Sequence, residues 1–211
     1  MTNFIPIFPL GLVVYPGEQL NLHIFEPRYK QLITECFKNK KGFGIPVVIN
    51  DKIKEMGTLV QVIEISRVYE DGKMDIKTSG SKVFRILETI KEIPEKLYGG
   101  AIVNFPDNIE KGNPVLMQSL LKWLKELHRL LKIKKHFSKQ EHDLCCYDLA
   151  HHAGFSLAEE YELLELLNEL QRQEYLKRHL KKVLPLMEEM KVLKERIKLN
   201  GHFKHLGGAE L

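Results

Sequence analysis

Between residues 104 and 114 the spacing of apolar residues changes from one period to another, and few architectures accommodate such a change. Before this stretch, short β-rich runs are separated by Gly and Pro: Phe4 to Phe8, Leu10 to Tyr15, Leu20 to Phe25, Gly44 to Ile49, Thr58 to Val68, Lys73 to Ser79, Val83 to Ile90 and Gly100 to Phe105. After it, apolar residues recur at spacings of three and four. A period near two belongs to strands and one near 3.6 to helices, so the chain reads as an α+β protein with the sheet first. Pro106-Asp107-Asn108 and Gly112-Asn113-Pro114 mark the change as a loop. The expected division is a β-rich domain over residues 1–110, an α-helical bundle over 111–200 and a flexible tail over 201–211.

Within the first part, Val60, Val62, Ile63 and Ile65 suit a strand buried on both faces, and Met74, Ile76 and Thr78 alternate as on a half-buried one. Tyr69-Glu70-Asp71-Gly72 signals a hairpin, because glycine tolerates the positive φ of a tight turn. One helix interrupts the strands. Pro27 suits its first turn, where a missing N–H costs nothing, Tyr29, Leu32, Ile33, Cys36 and Phe37 follow at helical spacing, and Gly42 ends the segment.

The second part predicts four helices. Val115 to Lys135 places Leu116, Leu120, Leu124, Leu127 and Leu131 on one face, with Lys122, Lys125, Arg129 and Lys132 opposite and Lys134 and Lys135 extending that basic stripe. A helix from Lys139 to Ala153 ends at Gly154, and Ser156-Leu157-Ala158-Glu159 has the form of a capping box opening the next. The last runs from Gln171 to Leu199 and stops at Asn200-Gly201. Its Leu176, Leu180, Val183, Met187 and Met190 form a seam that either packs within the bundle or pairs with another chain, and Pro185 interrupts its hydrogen bonding.

Three text blocks carry a family resemblance. Ile5-Pro6-Ile7-Phe8-Pro9-Leu10, Tyr15-Pro16-Gly17 and Leu22-His23-Ile24-Phe25-Glu26-Pro27-Arg28-Tyr29 resemble, in order and spacing, the opening of the Lon protease amino-terminal domain family. Val60 to Ile65, Asp71-Gly72 and Gly80 with Phe84-Arg85-Ile86 look like that family's central strands and hairpin, and Leu163-Leu164-Glu165 and the helix leading to Leu180 look like its helical bundle. The resemblance spans residues 4–199. It implies a PUA-like mixed β pseudo-barrel with one helix, followed by a helical bundle with a long C-terminal helix. It also implies a substrate-binding role toward unfolded or damaged polypeptides or another protein, as an adaptor or holdase. Read physically, Pro6, Pro9 and Pro16 shape the entry to the sheet, Phe8, Phe25 and Tyr29 belong to the core, and Glu26 and Arg28 pair as scaffolding. A polypeptide site needs an apolar concavity with a polar rim; the expected place is the junction between the β-rich domain and the first bundle helix, with the outward residues Arg28, Gln31 and Glu35 as the candidate substrate-binding rim.

Several function classes are disfavoured. The chain contains no Gly-x-x-x-x-Gly-Lys-Ser/Thr phosphate cradle; Gly80-Ser81-Lys82 is only superficially similar and belongs on a strand edge. With no peptidase segment either, a non-enzymatic protein without catalytic residues or cofactors is expected. His142, Cys145, Cys146 and His152 include soft ligands, but adjacent cysteines diverge by about 100° on a helix and no second pair at finger spacing exists, so no metal is expected. The cysteines number three and form no even framework, consistent with a reduced, cytoplasmic protein. The start lacks a basic leader region, Pro6 and Pro9 break its first apolar stretch, and no run of about 18 apolar residues occurs anywhere, so neither a signal peptide nor a membrane partner is expected. The net charge of +4 resides in residues 111–211, which carry 18 basic and 14 acidic side chains against 14 of each before. RNA binding through the PUA-like fold that the resemblance implies and the basic helical region is therefore the alternative reading, less favoured because the basic stripe has no interleaved aromatics.

Overall fold

A computed structural model describes residues 2–134, 137 and 139–206, with the backbone alone for 200–206. Lys135, at the end of the basic stripe, and residues 207–211 of the expected tail lie outside the described residues. The chain divides into two compact units, residues 1–110 with 154–168, and residues 111–153 with 169–211.

The first unit is built on a six-stranded antiparallel sheet of order β1-β6-β5-β4-β3, with β2 pairing β5 off this path. The strands are β1 (Asn3–Pro6), β2 (Gln19–Ile24), β3 (Phe43–Ile49), β4 (Lys52–Val68), β5 (Met74–Ile90) and β6 (Gly100–Asn104). Parallel bridges Ile7↔Gly44 and Leu10↔Val47 bring the segment after β1 against β3 and close the sheet on itself. Leu10 to Tyr15 is therefore not a strand. It runs as a buried loop, with Val13, Val14 and Tyr15 nearly inaccessible and Thr58 Oγ1 donating to the Val14 carbonyl.

β5 runs through Gly80 without a break, where two separate strands were expected. Its N-terminal part pairs β2 and its C-terminal part pairs β6, while β4 follows it almost throughout. Gly80 lies inside this strand, with its N–H bonded to the Glu18 carbonyl. A register shift between Val62 and Glu64 explains a second difference, since the irregularity turns Ile63 outward and leaves it 54% exposed rather than buried. The β4–β5 hairpin closes as expected, with Gly72 at φ +74°.

Helix α1 (Pro27–Lys38) buries Tyr29, Leu32, Ile33 and Cys36 against a core that includes Phe8, Phe43, Ile45, Val60 and Ile76. Phe8 stacks on Tyr29 at 3.8 Å between ring centroids. The helix is stopped by Lys40 at φ +51° rather than by Gly42. Burial raises the Cys36 thiol to about 11, with the Glu35 charge adding to the shift, so the thiolate is scarce at neutral pH. A second cluster joins Ile5, Ile7, Phe84, Ala101 and Val103. Helix α4 (Leu157–Glu165) opens on the expected capping box of Ser156 and Glu159. It packs on β3 and β4, and its Tyr161 hydroxyl accepts the Met56 N–H at 3.2 Å.

The second unit is helical. α2 (Pro114–Leu131) is capped by the Asn113 side chain, which accepts from the Val115 and Leu116 N–H groups, and ends where Lys132 turns left-handed at φ 58°. Its buried face comprises Met117, Leu120, Leu121, Leu124, Leu127 and His128, and α5 (Glu169–Leu206) packs beside it. Of the seam residues, Leu176 and Leu180 are fully buried, Val183 and Met187 are half-buried, and Met190 is exposed. The helix continues past Asn200-Gly201 to Leu206 with Pro185 inside it.

The expected helix from Lys139 to Ala153 is instead a 3-10 turn (Glu141–Asp143) and the short α3 (Cys146–Ala150). Cys145 is extended, at φ −120° and ψ 174°, and its N–H bonds to Asp148 Oδ2 at 3.0 Å. Helical continuity would forfeit this start and the bond from the Cys146 N–H to Glu169 Oε1 at 2.8 Å. Among the described residues no group of three His, Cys, Asp or Glu side chains could hold a metal. None of the described helices is long and apolar enough to cross a membrane.

Candidate functional site

β2 is joined to the sheet along one side by its pairing with β5. Side chains alternate along a strand, so Leu20, Leu22 and Ile24 turn toward the core while Gln19, Asn21 and His23 are exposed. Residue 25 continues the outward set, and Phe25 is 58% exposed. The expectation that Phe25 belongs to the core is thus corrected: Ile24 fills the inward position and is 1% exposed. The same alternation, visible in Leu20, Leu22 and Ile24, was the signal that could have placed Phe25 outside.

Around Phe25 the outer face of β2, β5 and β4 carries an ordered polar array. His23 Nδ1 lies 2.7 Å from Asp75 Oδ1, and the Tyr69 hydroxyl donates to Asp75 Oδ2 at 2.7 Å. The His23 ring is 6.2 Å from that of Phe25, and the Arg67 guanidinium lies 4.5 Å over Tyr69. The hydrogen bond from His23 and then that from Tyr69 hold the Asp75 carboxyl below its usual range. One row along, Lys77 pairs with Glu64 at 2.9 Å.

The three candidate rim residues occupy successive turns of α1 but have different partners. Arg28 turns back to Glu26, with Nη2 2.7 Å from Oε2, and its guanidinium lies 4.6 Å over the Tyr29 ring. Gln31 clasps the β5–β6 loop, donating to the Glu95 carbonyl at 3.2 Å and accepting the Leu97 N–H at 2.8 Å. Glu35 takes two bonds from Lys96 Nζ, each 2.8 Å, and one from the Tyr98 hydroxyl at 2.6 Å. Gln31 and Glu35 therefore meet on one loop, which presents Leu97 64% exposed. The sequence did not mark Leu97 as a surface apolar group, because the loop's course depends on this clasp.

Lys96 first, and Tyr98 second, hold the Glu35 carboxyl below its ordinary value, against the opposing effect of desolvation. Because the folded pKa lies below the unfolded one, the pair stabilises the fold above the unfolded value of roughly 4.3. That contribution is lost as pH falls through the folded value. We expect the stability difference between wild type and Glu35→Gln, from urea titrations, to be flat above about pH 5 and to shrink below about pH 4. A difference that stays constant across that range would remove the charge pair as its source.

Elsewhere, two cations of the basic stripe have carboxylate partners: Lys125 pairs with Glu141 and Arg129 with Glu126. Trp123 lies beneath Lys181, with the ammonium 5.7 Å from its ring centroid, so its ring packs within the helical unit. Burial raises the Cys145 thiol to about 11 and pushes that of Cys146 up further, which makes both poor nucleophiles.

A closed antiparallel sheet with α1 and α4 packed on it, accompanied by a helical unit with a long last helix, is the fold of Lon amino-terminal domains. The structure aligns with that of a Lon N-terminal domain protein from Xanthomonas campestris at a TM-score of 0.63 and 22% identity, covering 83% of this chain and 98% of that one. It aligns with the N-terminal domain of Mycobacterium avium complex Lon protease at a TM-score of 0.63 and 14% identity, covering 85% and 98%. Residues 5–182 match the ATP-dependent protease La (Lon) substrate-binding domain, and the chain belongs to that family.

Proposed function

We propose that this chain is a non-catalytic module that binds unfolded or damaged polypeptides, acting as an adaptor or holdase. The observation that carries this reading is Phe25, a large aromatic side chain 58% exposed at the end of β2, in a chain of the substrate-binding family. An exposed aromatic ring with a polar surround suits an unfolded chain, whose apolar side chains need burial and whose amides need partners. His23, Tyr69 and Arg67 supply such a surround, and Gln31 and Glu35 support the rim by holding the loop that carries Leu97.

The test is Phe25→Ala against a reduced, carboxymethylated model protein, followed by fluorescence anisotropy. Binding is expected to weaken about tenfold, the scale of an interface hot spot. The unfolding free energy should change by less than about 1 kcal/mol, because more than half of the Phe25 surface is already exposed. Unchanged binding with unchanged stability would sink Phe25 as the anchor. An absence of wild-type binding would sink the polypeptide reading.

A further inference from the structure

The backbone of β2 points to how such a chain would be held. The Gly80 N–H bonds to the Glu18 carbonyl at 2.8 Å, and the register then pairs Leu20 with Thr78, Leu22 with Ile76 and Ile24 with Met74. Successive residues of a strand direct their backbone groups to opposite sides. The even-numbered residues therefore face β5, and the N–H and C=O groups of Gln19, Asn21 and His23 face away from it. Among the described residues β2 pairs with β5 alone, and no backbone bond outside that pairing involves these three residues. Their side chains are exposed.

We propose that this open edge binds an extended polypeptide segment by strand addition; the inference rests on the polypeptide-binding reading and specifies its chemistry. The groups that need partners are alternating amide donors and carbonyl acceptors at strand spacing, a pattern matched by another extended backbone. One flank of an added strand lies beside Leu20 and Leu22, both half-buried and packed against the core. The other lies beside Asn21 and His23, with Phe25 at the end of the row. The fitting segment is therefore about five residues long, the ordinary length of a strand, with apolar side chains at alternate positions. Selection by backbone and alternation suits a binder of unfolded chains, because no particular sequence is required.

The probe is a fluorescein-labelled nonapeptide of alternating valine and threonine with a terminal lysine pair, made unmodified and with either alternate set of amides N-methylated. Only one amide set of an added strand faces β2. Methylating that set should abolish binding, and methylating the other should leave it within about twofold of the parent. On the protein, Asn21→Pro removes an outward N–H at an edge position where proline is tolerated. This variant should lose at least about tenfold in affinity while keeping its circular dichroism and unfolding midpoint. Equal binding of both methylated peptides overturns the inference, and this readout requires no variant to fold. Loss of binding in Phe25→Ala but not in Asn21→Pro overturns strand addition and leaves the polypeptide reading standing. A dimer that dissociates in Asn21→Pro while peptide affinity is unchanged overturns it by assigning the edge to a second copy. If wild type binds neither this peptide nor the carboxymethylated protein, both readings fall.

Discussion

Replacing Glu169 with alanine is expected to destabilise the helical unit by about 3–5 kcal/mol, the cost of stranding one partner of a buried ion pair. Glu169 and Arg172 are 2% and 1% exposed and lie one turn apart on α5, with Arg172 Nε 2.7 Å from Glu169 Oε2. Each also has work outside its own helix. The second carboxylate oxygen of Glu169 accepts the Cys146 N–H, one of the donors that the start of α3 cannot satisfy internally. Arg172 donates to the Tyr147 hydroxyl at 2.9 Å, and its guanidinium lies 4.2 Å over the Tyr147 ring. Glu169→Ala therefore leaves a cation in the interior and exposes a helix start. Arg172→Met leaves the carboxylate, with a similar loss expected. The double replacement Glu169→Leu with Arg172→Met removes both charges and should cost less than the sum of the single changes. Urea titrations monitored by circular dichroism measure all three. Single-variant losses below about 1 kcal/mol would mean that the pair is solvated in solution.

Phe84→Ala carries the second large expectation, a loss of about 3–5 kcal/mol from the closed sheet. Phe84 is fully buried on β5 among Ile5, Ile7, Ala101 and Val103. Its ring occupies space that two glycines leave open. A Cβ at Gly44 would lie 2.8 Å from Phe84 Cε1 and 2.8 Å from Ile5 Cδ1. One at Gly57 would lie 2.6 Å from Phe84 Cζ and 2.5 Å from the Ile45 carbonyl oxygen. Both alanine replacements should overpack the site at a cost of about 1–3 kcal/mol or more, but they differ in what relieves them. The closest neighbours of the Gly44 position are side-chain atoms, so Gly44→Ala combined with Phe84→Ala should cost less than the sum. Gly57 also meets the β3 backbone, and Phe84→Ala should rescue it little. Equal rescue at both positions would show that the β3 backbone yields.

Legibility followed the range of the interactions involved. Pro27 and the spacing of Tyr29, Leu32, Ile33 and Cys36 predict α1, because a helix is written in residues three and four apart. Gly72 predicts the β4–β5 turn and Ser156 with Glu159 predicts the α4 cap, each through contacts spanning four residues or fewer. The structure departs from the local pattern where distant partners decide. The spacing around Gly80-Ser81-Lys82 predicts a strand edge between two separate strands, but β5 runs through Gly80 and its N–H joins the Glu18 carbonyl. Residues 139–153 looked like one helix, but Asp148 and the remote Glu169 start a new one at Cys145 and Cys146. The apolar, aromatic character of Phe25 predicts a core position, but the alternation of β2 puts it outside.

The candidate site divides in the same way. Arg28, Gln31 and Glu35 are legible as one helix face, but the sequence does not say that Gln31 and Glu35 grip residues more than 60 positions away. By itself the sequence determined the α+β class, the change of period near residues 104–114, most local element starts and the family. Those features depend on side-chain periodicity, capping and turn conformation, all set by near neighbours. Only the tertiary structure decided that β5 is continuous, that α4 packs on the sheet, that Glu169 and Arg172 are buried together, and that β2 pairs with β5 alone among the described residues. Each depends on which segments the folded chain brings into contact, and hydrophobic burial rewards such contacts without regard to their separation in sequence.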